Sequence, residues 1–94
     1  MFVVIVEFTL NPGCSMPFRD RVRRQAADSL ALEPDCHVFD VCIDPQSEDS
    51  VLLYELYSDR DAFDAHLASQ HFRDFDADVR DWISSKQVRT YSRL

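Results

Sequence analysis

The sequence of 94 residues has one glycine, four prolines and no long apolar run, and these shortages exclude several classes of protein. With Gly13 as the only glycine, neither a glycine-rich phosphate loop nor a Gly-x-Ser-x-Gly motif is present. No segment approaches the roughly 20 apolar residues of a membrane-spanning helix. The apolar start MFVVIVEF lacks a basic region and is interrupted by Glu7, so it does not predict a signal peptide. We therefore expect no membrane partner.

Positive charge is also scarce, because 10 Lys and Arg face 17 Asp and Glu, for a net charge of −7. A chain with this charge is repelled by phosphate backbones, so we expect no nucleic-acid partner. The three cysteines, Cys14, Cys36 and Cys42, are odd in number and lack Cys-x-x-Cys spacing. Reduced thiols in the cytoplasm fit this usage better than a disulfide framework.

Hydrophobic residues, in contrast, make up 46% of the chain and aromatic residues 12%, which is enough for the core of one domain over residues 1–94. Alternating or continuous apolar residues predict four strands, at residues 2–10, 36–43, 51–57 and 87–92. A polar loop over residues 44–50 separates the second strand from the third. The first helix is predicted from Ser15, its N-cap, to residues 33–35, with four apolar positions on its inner side: Phe18, Val22, Ala26 and Leu30.

Two further helical stretches are predicted between the third and fourth strands. Ser58 with Asp61 three residues later fits a capping box, and Phe63 and Leu67 would face inward. After a break near residues 69–70, a second stretch runs from about 71 to 84. The order βαββαβ predicts an α+β, ferredoxin-like fold: a four-stranded antiparallel sheet with helices on one face.

The predicted sheet is apolar on both faces, although helices can cover only one. Five apolar side chains fall on the other face, at roughly 1.5–3 kcal/mol each when buried: Val3, Ile5, Leu52, Tyr54 and Leu56. Leaving them in water would forgo about 8–15 kcal/mol, as much as the whole stability of a typical domain. We therefore expect a homodimer in which two sheets pack face to face. Glu7 would lie on this side and fix the register.

Four short segments in the second half of the chain carry a further signal: Glu33-Pro34-Asp35-Cys36, Tyr54-Glu55-Leu56-Tyr57, Ala62-Phe63 followed by His66-Leu67, and His71-Phe72. In this order they resemble the antibiotic biosynthesis monooxygenase family of dimeric α/β barrels. The resemblance implies a pocket between sheet and helices and a dimer through the opposite sheet faces. It also implies chemistry of the kinds found in the family, which include cofactor-free quinol and anthrone oxygenases, heme-degrading oxygenases and a sugar-phosphate isomerase. The position of the heme-ligating histidine carries Asp76, so heme is not expected.

Two polar residues are the candidates for catalysis. His66 leans toward the apolar side of its helix, where an imidazole could remove a phenolic proton. Glu55 lies inside an apolar strand and needs partners there: it could orient His66, bind a substrate hydroxyl, or pair with Arg89. The alternative for both is a structural role as hydrogen-bonded core residues. Tyr57, two residues beyond Glu55, could donate to a substrate oxygen or simply fill the core.

Candidate substrate-binding residues with an aromatic ring and a predicted inward position, and with core packing as the alternative, are Phe39, Phe63, Phe75 and Trp82, together with Tyr57. His71 opens the last helix and is a further candidate at the rim of the pocket, with a helix cap as the alternative. No metal site is expected, because His66 and His71 are five residues apart, off the spacing that stacks two ligands on a helix. No bound cofactor is expected either, and O₂ would be the co-substrate.

The leading hypothesis is a cofactor-independent monooxygenase acting on a small aromatic or quinol-like molecule. The first alternative is an isomerase of a small carbonyl or sugar-phosphate compound, since an acid–base pair could move a proton beside a carbonyl without oxygen. The second is a non-enzymatic, dimeric binding or stress-associated module whose pocket is residual.

Overall fold

A computed structural model describes residues 1–94 as a four-stranded sheet with helices on one face. The elements follow the order β1 (Phe2–Leu10), α1 (Ser15–Leu32), β2 (Cys36–Asp44), β3 (Ser47–Tyr57), α2 (Arg60–Ala68), α3 (Gln70–Val79), a 3-10 turn (Arg80–Trp82) and β4 (Ile83–Ser92). The strands pair in the order β2-β3-β1-β4, and every pair is antiparallel. The predicted ferredoxin-like fold is therefore confirmed.

The core lies between the sheet and the helices and follows the predicted alternation along β1. Val4, Val6, Phe8 and Leu10 are buried against the helices, and α1 contributes three apolar residues to the same core, Phe18, Val22 and Ala26. From α3, Phe75 and Val79 complete it, with Phe72 and Trp82 packed at its margin. Phe18 contacts the rings of both Phe8 and Phe75, at centroid distances of 5.0 and 6.3 Å, so one aromatic residue joins β1, α1 and α3.

The end of α1 differs from the prediction, because Leu30 is 47% exposed whereas Ser29 is fully buried. A step of four residues advances about 400° around a helix, so apolar positions spaced by four drift by about 40° at each step. Three such steps from Phe18 take Leu30 off the buried face, and Ser29 takes its place. Ser29 is tolerated there because its Oγ donates to the carbonyl of Gln25 at 2.8 Å.

The predicted start of β3 and the predicted N-caps of α1 and α2 were wrong, because the turns and caps are formed by other polar residues than those the sequence pattern indicated. β3 begins at Ser47, four residues early, since Asp44 Oδ1 accepts from the Gln46 backbone N–H at 2.9 Å and closes a short hairpin turn. The cap of α1 is Cys14, without a side-chain hydrogen bond, rather than Ser15. Asp59, not Ser58, caps α2 by accepting from the Ala62 N–H at 2.8 Å.

The predicted helix over residues 71–84 ends earlier, at Val79, and β4 begins at Ile83 rather than at residue 87. A 3-10 turn separates the two elements, and the carbonyl of Trp82 accepts from the Asn11 backbone N–H at 2.8 Å. This hydrogen bond holds the end of the 3-10 turn next to the segment that follows β1. The chain therefore pairs with β1 from Ile83 onward.

The predicted helix break is confirmed at Ser69, which lies between α2 and α3. Its Oγ accepts from the Phe72 N–H at 3.2 Å and donates to the His66 carbonyl at 2.7 Å. One hydroxyl thus caps the start of α3 and satisfies a carbonyl at the end of α2. The two helices therefore have different axes, and His66 and His71 do not follow the spacing of a single helix.

The open face of the sheet is partly apolar. Val3 and Leu56 are buried by their neighbours, and Ile5, Leu52 and Tyr54 are partly exposed. In the same layer the Arg89 guanidinium donates to Glu7 Oε1 at 2.6 Å, across the β1–β4 ladder. Beyond Ile83, every residue of the edge strand β4 is exposed.

None of the helices combines the length and the apolar character required to cross a bilayer. The three cysteines are all free thiols.

Replacing Ser69 by Ala removes both hydrogen bonds at the helix break. We expect the free energy of unfolding, measured by urea titration, to fall by about 1 kcal/mol, the usual cost of losing an N-cap side chain. Ser85→Ala is the matched control, because Ser85 is exposed on β4 and its side chain makes no hydrogen bond; its effect should stay within about 0.5 kcal/mol. Equal stabilities for the two variants would contradict the role given to Ser69.

Candidate functional site

A small cavity lies between the sheet and the helices α2 and α3. Its volume is about 40 Å³, and most of its lining is apolar. The polar side chains in its wall are few: Gln25, Glu55, His66 and Lys86. Leu67 and Val88, which are 41% and 47% exposed, stand at its solvent side. The cavity thus combines a hydrophobic lining with a small number of groups that can bind or transfer protons.

His66 is held in this wall by aromatic rings on several sides and is only 2% exposed. The ring of Phe63 is stacked on it, at 6.2 Å and 16°, and Phe39, Tyr57 and Phe72 lie between 5.1 and 5.9 Å away. Burial lowers the pKa of His66 to about 4, and the neighbouring His71 and Lys86 act in the same direction. Burial thus favours a neutral imidazole with a lone pair available, whereas the carboxylate of Glu33, 2.7 Å from Nδ1, acts in the opposite direction.

Glu33 is the hydrogen-bond partner of His66, with Oε2 at 2.7 Å from Nδ1. It is the C-cap residue of α1, and its extended backbone precedes Pro34, so the chain turns away there and leaves the side chain beside α2. A carboxylate at this distance favours the tautomer in which Nδ1 carries the proton and donates it. Nε2 then remains as the acceptor nitrogen of the ring that lines the cavity.

His71 lies on the far side of the same carboxylate. Its Nε2 is 2.8 Å from Glu33 Oε2, yet it is not aligned for a hydrogen bond and has no other partner. Its Nδ1 is 3.5 Å from Oε1 of the buried Gln25. Burial raises the pKa of Glu33, while the close approach of His71 opposes that rise. Glu33 is therefore shared by two imidazoles.

Glu55 has a different partner. The Tyr57 hydroxyl donates to Glu55 Oε1 at 2.6 Å, and both side chains lie on the helix side of β3, two residues apart. Burial raises the pKa of Glu55 to about 7, although the Tyr57 hydrogen bond and the charge of Lys86 oppose the shift. The pKa of Tyr57 is raised as well, by its own burial and by the adjacent carboxylate. Glu55 can thus carry a proton near neutral pH while His66 does not.

The structure brings most of the predicted site residues to one cavity. His66, Glu55, Phe39, Phe63 and Phe75 line it. Tyr57 is fully buried and does not line the cavity; its hydroxyl bonds Glu55 and its ring packs against His66 and Phe63, which do.

Two further predicted substrate-binding residues, besides Tyr57, lie outside the cavity wall. Trp82 packs at the margin of the core, because the 3-10 turn carries it past the end of α3. His71 faces an outer cleft of about 380 Å³ on the other side of Glu33. The cleft is also lined by Cys36, whose pKa is raised to about 12 by burial and by the charges of Glu33 and Glu55, so this thiol is unreactive at neutral pH.

Neither of the two protein side chains predicted as partners of Glu55, Arg89 and His66, forms a hydrogen bond with it. Arg89 belongs to the open face of the sheet and pairs with Glu7, so it cannot reach Glu55. No hydrogen bond joins Glu55 to His66, and Glu33 occupies the position of orienting carboxylate. Sequence reasoning missed this role of Glu33, since 33 residues separate it from His66 and only its place in the Glu-Pro-Asp-Cys segment marked it.

The spacing of the two histidines does not prevent possible metal ligands from lying close together. Glu33, His66 and His71 each offer one ligand atom, and these atoms lie within 4.8 Å of one another. The five-residue spacing of the histidines excludes a site on one helix, but His66 belongs to α2 and His71 to α3.

These features define an α+β ferredoxin-like domain with a His–Glu pair beside a small, mostly apolar cavity. The model of the antibiotic biosynthesis monooxygenase family matches residues 1–78, and the chain belongs to this family. No significant sequence match to a curated protein was found.

Solved structures similar to this chain come from several bacteria. A Nitrosomonas europaea protein named "Putative antibiotic biosynthesis monooxygenase" is 25% identical, with a TM-score of 0.95 over 100% of this chain and 99% of that one. A Pseudomonas aeruginosa protein is 22% identical, with a TM-score of 0.91 over 99% and 93% of the two chains. A Mycobacterium tuberculosis protein is also 22% identical, with a TM-score of 0.89 over 99% and 94%. The last two likenesses establish the fold alone.

Glu55→Gln tests the raised pKa of this carboxyl. A folded-state pKa of about 7, above the unfolded value of 4.5, means that the folded protein binds more protons between these values. The wild-type free energy of unfolding therefore falls as pH rises through this window, by about 3 kcal/mol at most. Since the variant has no such group, its stability relative to wild type should rise between pH 5 and pH 8.

The comparison uses urea titrations at one protein concentration, because self-association would also change the apparent stability. Glu48→Gln is the control, since Glu48 is exposed at the start of β3. A stability difference for Glu55→Gln that does not vary with pH would refute the buried, protonated carboxyl.

Proposed function

We propose that the chain is a cofactor-independent monooxygenase acting on a small phenol or hydroquinone. The observation that carries this proposal is a neutral imidazole, His66, in an apolar cavity with its Nδ1 held by a carboxylate. The family to which the chain belongs is named for monooxygenation, which supports the reaction class. The substrate class rests on the cavity's aromatic wall and on the available base.

In the proposed reaction, His66 Nε2 takes the phenolic proton and leaves an electron-rich phenolate. This anion reduces O₂ by one electron, and recombination of the resulting radicals forms a hydroperoxide at a ring carbon. Loss of water then leaves a carbonyl. A hydroquinone and O₂ give a hydroxylated quinone and one water, so the substrate supplies all the electrons. Glu33 stabilises the imidazolium that forms at His66, and it is a positioning residue that does not touch the substrate.

The volume of the cavity sets a condition on this proposal. About 40 Å³ holds a water molecule or two and is far below the roughly 300 Å³ of a typical small-molecule site. An aromatic ring therefore enters only if side chains at the solvent side swing away. Leu67, Val88 and Lys86 can do so at the lowest cost, because Leu67 and Val88 are nearly half exposed and Lys86 lies on the uncovered strand β4.

His66→Ala tests the base directly. We expect the enzyme-dependent rate of O₂ uptake with a panel of hydroquinones to fall by about 100-fold or more, the usual contribution of a general base. His37→Ala is the matched control, because His37 is exposed and bonds Ser58 away from the cavity. With ¹⁸O₂, one labelled oxygen should appear in the quinone. Equal rates in wild type and His66→Ala, after subtraction of autoxidation, would remove His66 from the mechanism.

An isomerase is the second candidate, and one specific observation favours it. The same cavity holds a carboxyl with a raised pKa and an imidazole with a lowered pKa, which is the separation that assigns an acid and a base. Glu55 could donate a proton to a carbonyl oxygen while His66 removes one from the adjacent carbon. Activity on a carbonyl compound that persists without O₂ and is lost in Glu55→Gln would decide for this candidate.

The open face of the sheet supports a homodimer as the functional form. Ile5, Leu52 and Tyr54 are only partly covered within one chain, and they form a contiguous apolar patch on β1 and β3. The ion pair of Glu7 and Arg89 lies beside this patch. A second copy placed across a two-fold axis would bury the patch and complete a dimeric α/β barrel.

We expect light scattering coupled to size exclusion to give twice the chain mass of 10.9 kDa at micromolar concentration. Tyr54→Lys, in the centre of the patch, should shift the protein to monomer, because two copies would each bury an unpaired charge. Leu30→Lys is the matched control, since it places the same charge on an exposed apolar position of α1, away from the sheet. A wild-type mass of one chain would contradict the dimer.

A further inference from the structure

We propose that Glu33, His66 and His71 form a binding site for one divalent transition-metal ion, of which Zn²⁺ is the representative. The site lies between the small cavity, which His66 lines, and the outer cleft, which Glu33 and His71 line. The ion would enter from the cleft, and its binding would prevent His66 from acting as a base.

The donor atoms already converge. Glu33 Oε2 is 2.7 Å from His66 Nδ1 and 2.8 Å from His71 Nε2, and all three atoms fit within 4.8 Å. With metal–ligand bonds of about 2 Å, tetrahedral donors stand roughly 3.3 Å apart. A tetrahedral site therefore needs the carboxylate to withdraw from each imidazole by roughly half an ångström, and it needs the two imidazole nitrogens, now within 4.8 Å of each other, to stand at about that same separation. Rotations of the three side chains would supply these shifts.

His71 provides an independent sign that a cation belongs at this point. Its Nε2 is buried 2.8 Å from Glu33 Oε2 without an aligned hydrogen bond, and its Nδ1 is 3.5 Å from Oε1 of Gln25. A metal ion would take the place of a proton between Nε2 and the carboxylate and would give each of these two atoms a coordinate bond. Gln25 would act as the outer partner that fixes the ring, the arrangement usual for metal-ligating histidines.

Access and ligand number also fit a metal ion. Glu33 and His71 are partly buried at 14% and 11% side-chain exposure, and both border the outer cleft. Three protein ligands would leave a fourth position open toward that cleft for water. Two imidazoles and one carboxylate favour Zn²⁺, Co²⁺ or Ni²⁺ over Mg²⁺ and Ca²⁺, which prefer all-oxygen ligands.

Metal binding at Nδ1 would change the role of His66. Coordination requires the Nδ1 lone pair, so the ring proton moves to Nε2, the nitrogen that would otherwise accept a proton from the substrate. The loaded protein would lack its base, and activity would fall as the site fills. This consequence for catalysis rests on the proposed function, whereas the binding itself does not.

The experiment uses the full chain, treated with chelator and titrated with Zn²⁺ by calorimetry, with metal content after dialysis as a second measurement. We expect one Zn²⁺ per chain and no heat with Mg²⁺. Co²⁺ should give the intense visible bands of four- or five-coordinate geometry. Sub-stoichiometric binding, or Co²⁺ bands of hexaaquo type, would overturn the site.

Variants decide which residues bind. Glu33→Gln and His71→Ala should each abolish stoichiometric binding, with folding checked by circular dichroism. Gln25→Met, which keeps the volume and removes the acceptor, should weaken binding by ~10–100-fold. His37→Ala and Cys42→Ser alter an exposed imidazole and an exposed thiol outside the cluster and should bind as wild type. Binding that survives both Glu33→Gln and His71→Ala would refute the proposal.

Oxygen uptake at increasing Zn²⁺ separates this proposal from the proposed function. Inhibition that follows occupancy and is reversed by chelator would support both. Binding in a protein that never consumes oxygen would leave the metal site standing and refute the oxygenase. Oxygen uptake that is unaffected when the metal site is fully occupied would refute the claim that metal binding prevents His66 from acting as the base.

Discussion

A single carboxylate, shared by two imidazoles, holds the candidate site together. Glu33 ends α1, His66 belongs to α2 and His71 to α3, so contacts of 2.7 and 2.8 Å join three helices at one point. The turn at Pro34 and the cap at Ser69 are the local features that allow this meeting. The first sends the chain away from α1, and the second separates α2 from α3. Orientation of the imidazole that faces the cavity depends on this carboxylate.

Burial shifts the pKa values of the two polar groups of the cavity, Glu55 and His66, in opposite directions. Burial disfavours charge, so a carboxyl gains a proton and an imidazole loses one. Glu55 and His66 share low exposure and an aromatic neighbourhood, yet the first is an acid near neutral pH and the second a base. A small domain thus obtains an acid–base pair through the desolvation of two side chains.

The fold could be predicted from sequence because its signals are local. The alternation of β1 assigns Val4, Val6 and Phe8 to the core, and the capping preference of Ser69 marks the helix break. The site was predictable only where an unusual residue interrupts an apolar pattern, as with Glu55 and His66.

Glu33 and Gln25 could not be predicted in the same way, since nothing within one turn of either residue identifies an imidazole as its partner. The boundary errors have the same origin. Whether Ser58 or Asp59 caps α2 depends on the competing bond from the Ser58 hydroxyl to Asp35, which comes from a distant part of the chain.

The outer strand β4 has a consequence for the behaviour of the protein at high concentration. A free edge with unpaired N–H and C=O groups invites the addition of further strands, the first step toward fibrils. Lys86 and Arg89 lie along this edge, with Arg93 just beyond it, and two such edges would repel each other. The positive charge along β4 therefore disfavours aggregation through edge-to-edge strand pairing. The open face of the sheet remains free to pack against one other molecule.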